Sequence, residues 1–540
     1  MRSQDDDGFA PKRPQALLAA GPAPALQRRH LLTLGLLGGA GLAAPPFIRH
    51  ARAADVPRFA LGVASGSPQA DRLVLWTRLT GIDLPPRTPV RWQLAHDEAF
   101  TQIAAAGSET ADATTAHSVH AEPTDLAPGR GYFYRFQALG QQSAAGRTRT
   151  APAPDAPARL RAAVASCQRW DHGEWAAWRH VAAQDFDLVM FLGDYIYEYG
   201  SPNPNGPDSP DGQRQHAGGH LRYLDQYRVR YAQYKSDPAL QAAHASAPWL
   251  LLWDDHEVDN DYSRERGQTL QGPALQRLRA AAYQAWWEHQ PVPKAMQPVG
   301  LDARIHHRLE WGRLARIHAL DARQFRDAQA CPPLLRGAGA GSVLAADCPA
   351  LFEPQRSMLG AAQERWLAEG WALDRPWNLL AQQTLMSRNS RSALAGPGSG
   401  KYWTDGWDGY PAARDRLLGT VAERKVPGVV ALGGDVHAHF VADLKLDFDN
   451  AKAPVLASEF CATSISSRGA PQWLTDAQLR HNPNLLYGRS EQRGYVAITL
   501  DERALQADLM VVQRPLDAFS PVGVAVRFVV DADRPGPQRG

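Results

Sequence analysis

Trp253-Asp254-Asp255-His256-Glu257-Val258-Asp259-Asn260-Asp261 follows directly on the apolar run Trp249 to Leu252. A short all-apolar run is expected to form a strand buried on both faces, as in a parallel sheet. This one ends abruptly in four aspartates, a glutamate and a histidine. In open α/β sheets, ligands and catalytic groups collect beyond the carboxyl ends of such strands. Carboxylates packed this densely repel one another, so either water screens them or cations hold them. Taken alone, the stretch reads equally well as a solvated acidic loop. Three other strand ends with matching chemistry separate the two readings.

Leu160 to Ser166 predicts a strand ending at Cys167-Gln168, and His172 to Gln184 a helix with Trp175, Trp178, Val181 and Ala182 on one face. Asp187 to Leu192 is the next strand, opening into Gly193-Asp194-Tyr195-Ile196-Tyr197-Glu198. This β-α-β order implies parallel strands joined by a right-handed crossover. Tyr223 to Tyr234, Ala274 to Glu288 and Ala361 to Leu373 read as helices, and Trp377 to Leu380 as a strand reaching Gln382-Gln383. Val429 to Leu432 is a last core strand, running into Gly433-Gly434-Asp435-Val436-His437-Ala438-His439. Tyr495 to Leu500 and Ala504 to Val512 read as a terminal hairpin. Four strand ends therefore present Cys167, then Asp194 with Tyr197, then Asp255-His256, then Asp435 with His437. Each has an ordinary explanation when taken singly: a core cysteine, a Gly-Asp turn, a charge run, and a His-x-His pair whose His439 is expected at the surface. Together they point to a metal site.

Upstream, Leu73 to Arg78, Val90 to Ala95 and Tyr132 to Phe136 are short, β-rich and separated by turn residues. They predict an antiparallel sandwich of about a hundred residues, similar to immunoglobulin or fibronectin modules, over 55–153. The proline-rich stretch Ala151 to Pro157 marks its end, and 154–540 forms the α/β part. A chain of 540 residues is too long for one core, and 44% hydrophobic content with 16 tryptophans supplies enough apolar material for several. A net charge of +2 argues against nucleic acid as the main partner. Beyond the N-terminal signal no apolar stretch reaches membrane-spanning length.

Gln27-Arg28-Arg29-His30-Leu31-Leu32 opens a Gly/Ala/Leu run to Ala44, and Ala51-Arg52-Ala53 is a small-x-small cleavage signature. Residues 1–54 are therefore expected to be a twin-arginine signal with a long leader. The translocation machinery is an expected partner, and the destination periplasmic or secreted. Cys331 and Cys348 flank a Gly/Ala/Pro-rich loop, where a disulfide would contribute about 3 kcal/mol. Cys461 is expected to be a buried small apolar residue.

On these motifs the chain resembles the PhoD-like alkaline phosphatases, a branch of the calcineurin-like and purple-acid-phosphatase group of dinuclear metallophosphatases. Gly62-Val-Ala-Ser-Gly66, Leu75-Trp-Thr-Arg78, Ser166-Cys-Gln168, Gly193-Asp-Tyr-Ile-Tyr-Glu198, Trp253-Asp-Asp-His-Glu-Val258 and Gly433-Gly-Asp-Val-His437 carry the resemblance. It implies a metallophosphatase-type β-sandwich flanked by helices (α/β/β/α) in 154–540. It also implies that Cys167 takes the place of the wider group's first aspartate and Asp194 that of the bridging carboxylate. Tyr197 becomes a phenolate ligand, Asp255 replaces an asparagine, and Asp435 with His437 replaces the His-x-His pair. Cys167, Tyr197, His437 and Asp194 are a donor set suited to ferric iron, whereas Asp194, Asp255 and Asp435 offer only oxygen and suit calcium. These match the Fe3+ and Ca2+ the resemblance implies, with other divalent cations as substitutes.

The implied reaction is hydrolysis of a phosphate ester by direct attack of a metal-held hydroxide, without a phosphoenzyme. His256 is expected to diverge from its neighbour Asp255, and so to serve as acid or hydrogen-bond donor rather than as ligand. Gln383 is a candidate completing ligand, and Arg169 and Arg388 are candidate phosphate contacts. Rival readings are a phosphodiesterase of phospholipase D type, a surface-binding protein with a structural calcium, and a thiol hydrolase using Cys167.

Overall fold

Short runs of branched and apolar residues build two large mixed sheets. The computed structural model describes residues 57–201, 214–333, 339–396 and 398–540, so the signal and leader expected over 1–54 lie outside the described residues. Leu160–Ala165, Leu188–Phe191 and Pro248–Leu251 are parallel neighbours in the middle of a ten-stranded sheet. Every residue in them except Arg161 is buried, which is why their sequences do not alternate between polar and apolar. On one side Arg493–Leu500 joins antiparallel, followed by Ala504–Val512, Val522–Asp531 and Arg534–Arg539. On the other, Val63–Gly66 pairs parallel with Pro248–Leu251, followed by Val74–Arg78 and Ser118–Ala121.

The seven-stranded sheet runs in the order His307–Trp311, Ala315–Ala319, Trp377–Ala381, Val429–Gly433, Ala457–Cys461, His439–Leu444, Leu485–Arg489. Successive side chains of a strand point to opposite faces. Accordingly Val430 and Leu432 enter a core shared with the ten-stranded sheet, while Val429 and Ala431 enter a second core with Leu367 and Leu417. The last two come from the helices Ala361–Glu369 and Pro411–Arg424. Helices Ala176–Ala182, Leu224–Lys235, Pro238–Ser246 and Gly272–His289 supply Trp178, Tyr231, Leu240 and Trp286 to the first core.

The antiparallel texture expected upstream is present, with its strands divided between sheets. Arg87–Ala95, Ile103–Asp112, Gly131–Ala138, Gln141–Gln142 and Gly146–Arg149 form a five-stranded sheet, whereas Val63–Gly66, Val74–Arg78 and Ser118–Ala121 extend the ten-stranded one. Val63, Leu75 and Val119 pack with Val90, Tyr134 and Phe136 in a third core. The helix expected from His172 to Gln184 is confined to Ala176–Ala182, because Trp170–His172 form a 3-10 turn that Gly173 ends. Cys331 and Cys348 are bridged, and Cys461 is a free, fully buried thiol, as expected. Among the described residues no helix is long and apolar enough to cross a membrane.

Candidate active site

The four motif-bearing strand ends come from both large sheets and converge. Backbone bonds beyond the strands hold the loops in place: Cys167 N–H donates to the Gly193 carbonyl at 3.0 Å and Gln168 N–H to that of Asp194 at 3.1 Å. Gly193 has φ +114°, and a Cβ there would lie 2.4 Å from Asp254 Cβ, so only glycine lets these two loops approach so closely. Cys167, Asp194, Asp435 and His437 all have φ between +52° and +65°. Left-handed backbone at non-glycine residues costs free energy and collects at functional sites, where the surrounding fold enforces it.

Donor atoms of Cys167, Asp194 and His437 lie within 4.8 Å of one another, as do those of Asp194, Asp255 and His256, and those of Asp254, Asp255 and Asp435. Asp194 belongs to the first two groups and Asp255 to the last two, so the donors form one chain. Tyr197 Oη donates to Asp194 Oδ2 at 2.8 Å and lies 3.2 Å from His437 Nε2 and 2.7 Å from Ser467 Oγ. His437 Nδ1 donates to the Arg468 carbonyl at 2.8 Å, which leaves its Nε2 lone pair facing Tyr197 and Asp194. All seven site residues expected from the sequence are thus brought together: Cys167, Asp194, Tyr197, Asp255, His256, Asp435 and His437.

Other expectations need correction. Asp255 and His256 do not diverge; both present donor atoms to Asp194. His439 is fully buried rather than at the surface, where Nδ1 accepts from Thr463 N–H at 3.2 Å and Nε2 donates to the Met510 carbonyl at 3.2 Å. The Gln383 amide is committed to backbone, donating to Trp253 and Leu320 carbonyls at 2.9 Å each and accepting from Ala322 N–H at 3.1 Å. Arg388 is committed to Asp449 and the Phe448 carbonyl. Arg169 pairs with Asp171 at 2.8 Å, yet its guanidinium lies over the Tyr197 and Tyr199 rings.

Several groups escaped the sequence reading. Glu257 accepts from the backbone N–H groups of Asp194, Tyr195 and Asp254, tying two motif loops together. Glu198, fully buried, accepts from His256 Nδ1 at 2.7 Å and from Asn260 N–H at 2.8 Å. The Tyr197 ring lies 4.1 Å from that of His256 at an interplanar angle of 32°, so the imidazole is packed against a tilted phenol as well as hydrogen-bonded. Arg323 and Asp405 extend the cluster of charges. Glu257 and Glu198 stood inside quoted motifs, and for Glu198 the available signal was a lone acid among aromatic and apolar residues.

The electrostatics favour bound cations. Burial drives the Asp435 carboxyl up from 3.8 to about 8, with Asp255 adding to the effect and Arg323 opposing it. Burial and then Asp405 raise Asp261 to about 6, and burial pushes Asp254 well above the carboxylate range despite Arg323. Burial raises Asp194 too, but His256, His437 and Tyr197 outweigh it and hold that carboxyl below its usual value. Burial opposes a charged His256, yet Glu198, Asp194 and Asp255 keep the ring well above its ordinary value. Burial and then Asp194 push the Cys167 thiol well above its usual value, the reverse of what a thiol nucleophile requires. Asp194 Oδ1 and Asp435 Oδ2 are buried with no hydrogen-bond partner. Such orphaned carboxylate oxygens, with thiol, phenol and imidazole on one side and only oxygen on the other, fit two cations of different character.

A pH dependence follows. A carboxyl with a raised folded-state pKa contributes stability in full below its unfolded value, and that stability is lost as pH climbs through the folded value. For Asp435 the window runs from 3.8 to about 8. Metal-depleted protein should therefore lose thermal stability as pH rises across it, and an added divalent cation should raise Tm more at pH 8 than at pH 5. Thermal melts at the two pH values check this, and equal shifts would contradict it.

The profile of the PhoD-like phosphatase family matches residues 162–509, and that of the PhoD-like phosphatase N-terminal domain matches 43–152. The chain is 39% identical over 493 residues to alkaline phosphatase D of Bacillus subtilis (strain 168), spanning 88% of this chain and 82% of that protein. A solved structure of PhoD superposes with a TM-score of 0.82 at 37% identity, covering 89% of this chain and 92% of the other.

Proposed function

Because the chain belongs to the PhoD-like phosphatase family and is a phosphoric-ester hydrolase of the alkaline phosphatase D type, we propose that it works through a two-cation centre. Cys167, Tyr197, His437 and Asp194 would hold ferric iron, and Asp194, Asp255 and Asp435 calcium. The observation that carries this reading is the continuous chain of donors from Cys167 to Asp435, with an unpartnered oxygen on both Asp194 and Asp435. When bound, the cations supply electrophilic stabilisation of phosphate oxygens and lower the pKa of coordinated water.

The chain's own residues do the rest. Asp194, with one oxygen taken by Tyr197 and one free, is the carboxylate both donor sets share. His437 is fixed in the tautomer that turns Nε2 inward by its bond to Arg468. His256 has Nδ1 committed to Glu198, which leaves Nε2 to donate to the leaving-group oxygen. Glu257 keeps the Asp194 and Asp254 loops in register.

The same reading takes 154–540 as a metallophosphatase-type α/β/β/α domain, supported by the core common to the two large sheets. It takes 55–153 as an immunoglobulin-like attachment, supported by its antiparallel strands. Residues 1–54 are read as a twin-arginine export signal. Arg28-Arg29 and the Cys331–Cys348 disulfide, which an oxidising compartment sustains, support that destination.

The test is elemental analysis of natively produced protein beside hydrolysis of a chromogenic monoester and the matching diester, before and after chelation. Iron and calcium together are expected, with monoester hydrolysis abolished by chelation. Full activity in the metal-free protein would overturn the reading, and preference for the diester would reassign the substrate class.

A further inference from the structure

Arg323 enters the carboxylate cluster from the loop beyond the strand Ala315–Ala319. Its side chain is fully buried, with Nε bonded to Asp254 and Nη1 to Asp405. The remaining nitrogen, Nη2, reaches towards the two carboxylates of the oxygen-only donor set, 3.6 Å from Asp255 Oδ1 and 3.4 Å from Asp435 Oδ1. It is buried and makes no hydrogen bond.

The mount is stiff. Asp405 is itself anchored, accepting from Arg326 Nη2 and Gln329 Nε2 at 2.7 Å each, while its carbonyl accepts from Arg326 Nη1 at 2.8 Å. The backbone of Arg323 is pinned where its N–H donates to Asp321 Oδ1 at 3.1 Å. Asp255 is held from its other side, with Oδ2 accepting from Asp261 N–H at 2.7 Å. Arg323 thus addresses the Oδ1 atoms of Asp255 and Asp435 and leaves Asp435 Oδ2 without a partner.

We propose that Arg323 is a positioning residue for the oxygen-ligated cation, its Nη2, held in place by the bonds to Asp254 and Asp405, setting the orientation of Asp255 and Asp435. The inference rests on the two-cation reading above. Two effects of opposite sign compete here. A guanidinium beside a cation site repels the cation, whereas outer partners that orient the ligands contribute roughly 10–100-fold to metal affinity. Orientation prevails because the guanidinium is already engaged by Asp254 and Asp405.

Calorimetric titration with Ca2+ alone, on the metal-depleted full chain, separates the two effects by sign. Arg323→Gln keeps a hydrogen-bonding amide but removes the charge and the fork; Arg323→Lys keeps the charge and removes the fork. Both are expected to bind Ca2+ about 10–100-fold more weakly than the parent, while circular dichroism and Tm report intact folding. Unchanged affinity in either folded variant, or tighter binding by Arg323→Gln, would overturn the proposal. If Arg323→Gln does not fold, Arg323→Lys decides, since it retains the charge that Asp254 and Asp405 require. A parent chain that binds no Ca2+ would instead sink the two-cation reading, and this inference with it.

Discussion

His256→Asn is expected to lower kcat by about 10²–10⁴-fold, the range that a positioned acid or base contributes. The loss should be larger for an alkyl phosphate, whose leaving alkoxide needs a proton, than for an aryl phosphate, whose phenolate departs without one. The expectation comes from the mounting of the ring. Glu198 holds Nδ1, the tilted Tyr197 ring packs against the imidazole, and Asp194 and Asp255 lie within reach of its charge. Asparagine can still donate to Glu198, so the buried carboxylate keeps a partner and Tm should change little. Steady-state kinetics across a series of leaving groups checks the assignment. An equal loss for all of them would move His256 from the leaving group to a phosphate oxygen.

Asp194→Asn should cost about 10²–10³-fold or more in kcat, comparable to removing a preorganised electrostatic element. Asp194 is the carboxylate that links the Cys167 and His437 donors to those of Asp255. The amide has the same shape but carries no charge and offers one acceptor oxygen, so it cannot serve two cations. Elemental analysis of the variant should find at most one cation per chain. Two cations with near-parental activity would remove Asp194 from the shared position.

Most of the residues that the structure brings together were legible because strand ends are local features. The runs before Cys167, Asp194, Asp255 and Asp435 are short and apolar, and a chain that becomes polar so abruptly leaves the sheet at its carboxyl edge. The Cys331–Cys348 bridge was legible for a similar reason, since its loop is short and poor in core residues. His439 was misread because its neighbour is a site residue and its own burial comes from Thr463 and Met510, 24 and 71 residues away. Gln383 was misread because a polar residue at a strand end can equally satisfy backbone groups of neighbouring loops, and here it satisfies three.

By itself, the sequence determined the order of strands and helices around the site and which polar residues stand at the four strand ends, with thiol, phenol and imidazole among some and only carboxylates among others. These depend on hydrophobic period and on residue chemistry, both local. Only the tertiary structure decided which distant groups complete the cluster. Arg323 meets Asp254 across 69 residues and Asp405 across 82, and Glu198 meets His256 across 58. A buried charge must find a partner wherever the packed chain puts one, and that partner is chosen by how the loops of two sheets come together, which no local pattern encodes.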